Sequence, residues 1–178
     1  MTTERIVHQD AEYESLAKDA LAWIIFAKQP LSASQLQHAL AIEIGETVLD
    51  EENLPYIGAI ISACVGLVTV DEQSNVIRLI HYTLEEYLQG TWMEWLPNAH
   101  ASITKACVTY LAFDAFECGP CESSKGFWDR LERYDLYNYA SRTGATMPVM
   151  SKGIQRKPQT YACAFSSRRT RPLAQVRL

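Results

Sequence analysis

At Leu67 the hydrophobic period of the chain changes. Before it, apolar residues recur at helical spacing. After it come two β-branched runs, "LVTVD" at 67–71 and "VIRLI" at 76–80, with the polar "EQSN" between them. Such a pair reads as a β-hairpin. The fold must therefore set one small hairpin among helices.

The flanking segments supply those helices. In "YESLAKDALAWIIFAK", Tyr13 to Lys28, residues Leu16, Ala20, Leu21, Ile24 and Ile25 form a stripe widened by Trp23 and Phe26, and Pro30 ends it. Ser32 or Ser34 can cap a second helix with Leu36, Ala39 and Leu40 inward. Ile44–Gly45 breaks the pattern, and Asp50 or Asn53 caps a third helix. There Pro55 is tolerated in the first turn, and Ile57, Ile60, Ile61 and Cys64 face the core. Past the hairpin, Thr83 caps "LEEYLQG", which stops at Gly90. Three helices, a hairpin and a closing helix make a winged helix-turn-helix with a two-stranded wing over 13–90. The polar residues 1–12 read as a leader or linker.

A helical extension is expected over 91–141. Asn98 caps a helix from Ala99 to about Phe116, with Ile103, Ala106, Cys107, Tyr110 and Leu111 on one face. "FWDRLERYDLYNYASR" makes another through Phe127, Leu131, Tyr134 and Tyr137. Trp92, Met93, Trp95 and Leu96 form an apolar knot between the two regions, which also suits contact with a neighbouring module. The fold class is mainly α.

Charge divides the chain once more. Residues 1–141 hold all 21 acidic residues and eight of the 16 basic ones, a formal −13, while 142–178 hold the other eight and a formal +8. Such a break marks a change of folding regime, so 142–178 is expected as a basic, disordered tail. The stretch from Ala59 to Val70 is too short for a bilayer-spanning helix. With a polar, acidic amino terminus and no signal peptide, the chain is expected in the cytoplasm, with no membrane partner. Cysteines 64, 107, 118, 121 and 163 make no disulfide framework, and Cys64 and Cys107 sit among apolar residues as small hydrophobes.

The phrases "LAWIIFAKQPLSASQLQHALAI", "DEENLP", "ISACVGLVTVDEQSNVIRLIHYTLEEYL" and "WLPNAHASITKACVTYLAFDAF" resemble a fungal family, the winged helix of NACHT-type signalling ATPases, also described as the winged helix of GPI inositol-deacylase-like proteins. The resemblance covers about residues 14–141. It implies a non-catalytic, autoinhibitory module lying between a NACHT nucleotide-binding module and ankyrin repeats, with those modules as its protein partners. In many relatives a histidine after the wing, in a phrase like Met-His-Asp, reaches the ADP phosphates. His81 matches that histidine, and Tyr82 stands in place of the aspartate. By resemblance, then, His81 is the nucleotide-phosphate-sensing residue of a full-length protein. Its other reading is an anchor between wing and helix. The chain itself has no G-x-x-x-x-G-K-[ST] phosphate loop, so neither a cofactor nor enzymatic activity is expected.

The same family phrase bears on the tail. Relatives continue after "YDLYNYASR" with something like Asn-Trp-Gly-His-His-Ala-Arg. In the codons AAC TGG GGC CAC CAT GCC CGT, loss of the first base gives Thr-Gly-Ala-Thr-Met-Pro-Val, which is residues 143–149. Residues 143–178 are therefore expected to be family sequence in a shifted frame; the other reading is a genuine basic tail that binds an acidic partner or a membrane.

Two other functions compete. A nucleic-acid-binding winged helix would read with its third helix, but 53–64 contains no Lys or Arg and follows Asp50, Glu51 and Glu52; a −13 domain repels a polyanion. The quartet Cys118–Gly119–Pro120–Cys121 matches the redox motif of thioredoxins. Here, however, Glu117 precedes it instead of Trp, a helix leads in, "ESSKG" leads out as loop, and no βαβ unit surrounds it. No second Cys or His pair completes a zinc site. An interhelix turn is the expected role, with thiol–disulfide or metal chemistry third after nucleic-acid binding.

Overall fold

The computed structural model describes residues 2–119, 121 and 123–144, with backbone alone at 2–4, 92, 94, 95 and 144. The tail from 145 onward, and the side chains of Trp92 and Trp95, lie outside the described residues. Eight helices and a two-stranded antiparallel sheet appear among the described residues. This is the mainly α, wing-bearing architecture expected from the period change.

Helix α2 (Ala11–Phe26) is the hub, packing against α1 (Thr2–Val7), α3 (Ala33–Leu40), α4 (Ile57–Ala63), α5 (Tyr82–Trp95), α6 (Ala99–Leu111) and strand β2 (Ile77–Leu79). Its second half is apolar nearly all round, with Ala20, Leu21, Ala22, Trp23 and Ile25 buried, as a helix enclosed by others must be. Fully burying a side chain such as Leu21 is worth about 1.5–3 kcal/mol. Glu12 and Glu14 occupy the first turn, where negative charge suits the helix dipole.

Residues 2–7, assigned to a leader on polarity, instead form α1. Ile6 is fully buried in the main core. The Gln9 side chain donates to the Ala63 carbonyl at 2.9 Å, satisfying an end-of-helix acceptor of α4. Two adjacent apolar residues, Ile6 and Val7, after a polar run were too little to signal this packing, and Ile6 alone is buried.

Ser32 caps α3 through a reciprocal capping box. Its Oγ accepts from the Gln35 N–H and the Gln35 side chain accepts from the Ser32 N–H, both at 3.1 Å. Pro55 lies outside α4, in an extended link after a 3-10 turn at Glu51–Asn53 that Asp50 caps. The third helix thus starts at Ile57, after the proline. It ends in two left-handed residues, Val65 at φ 44° and Gly66 at φ 77°, which turn the chain into the wing.

Strand β1 (Val68–Val70) pairs with β2 in the register Val68–Leu79, Thr69–Arg78, Val70–Ile77. Asp71 closes the turn by accepting from the N–H groups of Gln73 and Ser74, the Ser74 hydroxyl and the Arg78 guanidinium. The Ser74 backbone bond first, with its hydroxyl and the other donors, holds the Asp71 carboxyl below its ordinary range. An isolated bridge from Ser32 to Val76 gives the wing one extra rung.

Helix α5 does not stop at Gly90 but runs to Trp95. A solvent-facing glycine weakens a helix by only about 1 kcal/mol and does not end it unless a left-handed residue is needed there. In the extension, α6 ends at Leu111 and a separate 3-10 turn spans Asp114–Phe116. The single helix expected over 127–142 is two, α7 (Ser124–Arg133) and α8 (Tyr137–Gly144). The break at Tyr134 (φ −121°, ψ 73°) sends Leu136 into the core, fully buried. Tyr134 and Tyr137 then flank Phe116, with ring centroids 4.9 and 4.7 Å away. Helix α8 includes Arg142 and Thr143, which the charge break had placed in the tail, and Thr143 is buried.

Candidate functional site

His81 lies between β2 and α5 and caps that helix itself. Its Nδ1 accepts from the Thr83 backbone N–H at 3.2 Å and from the Thr83 hydroxyl at 2.7 Å. Thr83, expected as the cap, is instead inside the first turn. An Nδ1 that accepts an amide hydrogen carries a lone pair, so the neutral ring bears its proton on Nε2. The imidazole stacks on Tyr82, centroid to centroid 4.8 Å at 26°. His81 is exposed. The arrangement leaves one ring nitrogen occupied by the cap and the other as a donor beside the positive end of a 14-residue helix.

Around this point several large apolar side chains are exposed among polar ones. Ile80, Tyr82, Tyr87 and Met93 are exposed at 56%, 69%, 50% and 69%, while Leu88 is the one fully buried side chain described in α5. Glu85 and Glu86 share the first two turns and are exposed.

The nucleic-acid reading finds no cation where it needs one. Helix α4, "IGAIISA", carries no charged residue, and the wing's Arg78 is engaged by Asp71 at 2.8 Å.

The quartet follows the Asp114–Phe116 turn. Gly119 has φ +76° and its N–H donates to the Phe116 carbonyl at 3.1 Å. Among the described residues no strand adjoins it, but the segment after it is not all loop: Ser123 caps α7, whose first turn contains Lys125 and Gly126. Cys118 is exposed and Cys121 half-buried, both as free thiols. Arg130, on the last part of α7, donates from one guanidinium nitrogen to Cys118 Sγ at 3.1 Å and from the other to the Gly119 carbonyl at 2.9 Å. Sequence reasoning saw the negative neighbour Glu117 and missed this positive one; a Cys–Arg spacing of twelve carries no local signal. Cys64 and Cys107 are buried, and burial pushes both thiols up to about 12, as expected of small hydrophobes. No group of three or more His, Cys, Asp or Glu among the described residues could hold a metal ion.

A small cleft of about 200 Å³ opens between the acidic loop and the extension, lined by residues including His38, Glu51, Phe113 and Arg133. His38 Nδ1 is 3.0 Å from the Tyr110 hydroxyl. Burial lowers the His38 pKa, opposed by Asp135 and Glu51.

Helices α2–α4, the two strands and α5 have the order and pairing of a winged helix, a class whose members are usually non-catalytic modules. The chain belongs to the family described as the GPI inositol-deacylase winged helix domain, whose model matches residues 4–95, just over half of it. That span runs from α1 to the end of α5. No curated protein and no solved structure matches the chain.

Proposed function

We propose that the chain is a protein-interaction and autoinhibitory module of a fungal NACHT–ankyrin signalling protein, contributing the winged helix and its helical extension and working in the cytoplasm. Its partners are the nucleotide-binding and ankyrin modules of such a protein, and it holds the ATPase in its closed, ADP-bound state. One observation carries the reading: four large apolar side chains on α5 and its approach, Ile80, Tyr82, Tyr87 and Met93, are exposed beside a histidine whose Nε2 is a donor. A module face suited to docking a protein, with one polar group suited to phosphate, fits the switch role better than a substrate pocket does. His81 is the residue assigned to the nucleotide phosphates in that assembly. Among the described residues no helix is long and apolar enough to cross a membrane.

The test is binding to a purified NACHT nucleotide-binding module from a fungal protein carrying this winged helix. Calorimetry should show tighter binding to the ADP form than to the ATP form. Tyr87→Ser with Met93→Ser should weaken it at least about tenfold, a loss of about 1.4 kcal/mol. His81→Ala should remove the preference for ADP. Equal, weak binding in both nucleotide states would overturn the proposal.

A further inference from the structure

We propose that Cys118 and Cys121 form a reversible disulfide by exchange with a small disulfide such as oxidised glutathione, with Arg130 positioning the attacking sulfur. Three features converge on this pair. The two thiols are accessible, in contrast to Cys64 and Cys107, which are buried with their thiols pushed up to about 12. Gly119, in the left-handed region at φ +76°, turns the chain between them, a conformation a side chain would strain. Arg130 then reaches back from α7 to Cys118 Sγ at 3.1 Å.

The guanidinium is itself held. It donates to the Gly119 carbonyl at 2.9 Å and sits 5.7 Å from the Phe116 ring centroid and 5.8 Å from that of Tyr137. A guanidinium held in this way fixes the Cys118 sulfur in place by a charge-assisted contact, and Glu117, which precedes Cys118 in the chain, is exposed. The site therefore takes a disulfide as its substrate class.

The steps balance. Cys118 thiolate attacks one sulfur of glutathione disulfide, forming a mixed disulfide and expelling one glutathione thiolate. Cys121 thiolate then attacks Cys118 Sγ, closing the protein disulfide and expelling the second glutathione thiolate. The two protons lost by the cysteines end on two glutathione thiols. The protein pair is oxidised by two electrons and one glutathione disulfide is reduced.

The full chain is incubated with oxidised glutathione, quenched by alkylation and mapped by peptide mass spectrometry. A Cys118–Cys121 disulfide should form and reverse with reduced glutathione, while Cys64 and Cys107 stay reduced. Cys121→Ser should stop at a glutathione adduct on Cys118. Arg130→Met, with its fold checked by circular dichroism, should slow that adduct about tenfold, and Arg130→Lys should recover part of the rate. Cys118 remaining reduced in the folded wild-type chain overturns the proposal. So does an adduct on Cys118 of the Cys121→Ser protein that forms no faster than in the urea-unfolded chain.

Discussion

The Tyr139 hydroxyl accepts a hydrogen bond from the backbone N–H of Lys28, 3.2 Å away and 111 positions earlier in the chain. The same ring meets Trp23 edge-on, with centroids 5.8 Å apart. Through this residue α8 closes over the end of α2, where Ala27 has already left the helix at ψ 137°. The winged helix and the extension therefore share a core.

Tyr139→Phe keeps the ring and removes the acceptor. It should destabilise the chain by about 1 kcal/mol, the ordinary worth of one such bond. Urea unfolding followed by tryptophan fluorescence and by far-UV circular dichroism should still give coincident transitions. Separate transitions for the two probes would mean that extension and winged helix unfold independently.

Gly90→Ala should stabilise. A Cβ built there meets nothing within 4 Å, and Gly90 lies inside α5. The gain expected for replacing a solvent-facing helical glycine is about 1 kcal/mol, read as a higher urea midpoint with an unchanged slope. A lower midpoint would show that Gly90 serves a backbone geometry the helix assignment does not contain.

His38 should make stability depend on pH. Burial lowers its folded pKa below the ordinary 6.5, with Asp135 and Glu51 partly opposing. Below pH 6.5 the unfolded chain takes up a proton that the folded chain resists, so stability falls. The contribution is fully present above pH 6.5 and is lost as pH drops toward the folded value. Unfolding free energies at pH 7.5 and 5.5 should differ more for the wild type than for His38→Gln. Equal differences would show that His38 titrates alike in both states.

Elements with strong local rules were legible in the sequence. The hairpin follows from β-branched runs and a polar turn, and a serine cap at Ser32 or Ser34 was expected from the residue type, while the capping box with Gln35 that selects Ser32 was not read. Cys64 and Cys107 declared themselves by their apolar neighbours. Elements decided by tertiary partners were not. Ile6 is buried because α2 is there to receive it, and the chain breaks at Tyr134 so that Leu136 can enter a core built by other helices. Gly90 looked like a stop because punctuation is a local rule, whereas α5 continues on its own hydrogen bonds.

At the sites the split is the same. His81 was picked out by the family resemblance alone, and its tie to Thr83 comes from the geometry of the first turn. The quartet was conspicuous, and its arginine was not. A guanidinium twelve residues away reaches Cys118 only because the chain doubles back at Gly119.

Ser32 begins α3 with its side chain and pairs with Val76 through its backbone, while the flanking Leu31 carbonyl accepts from Ile77 at 3.0 Å and the Ala33 N–H donates to Asn75 at 2.9 Å. The tip of the wing and the first turn of α3 are thereby geared together. A strain on one is thus shared by the other, and the Tyr110 hydroxyl, 3.0 Å from His38 on the same helix, ties α3 in turn to α6.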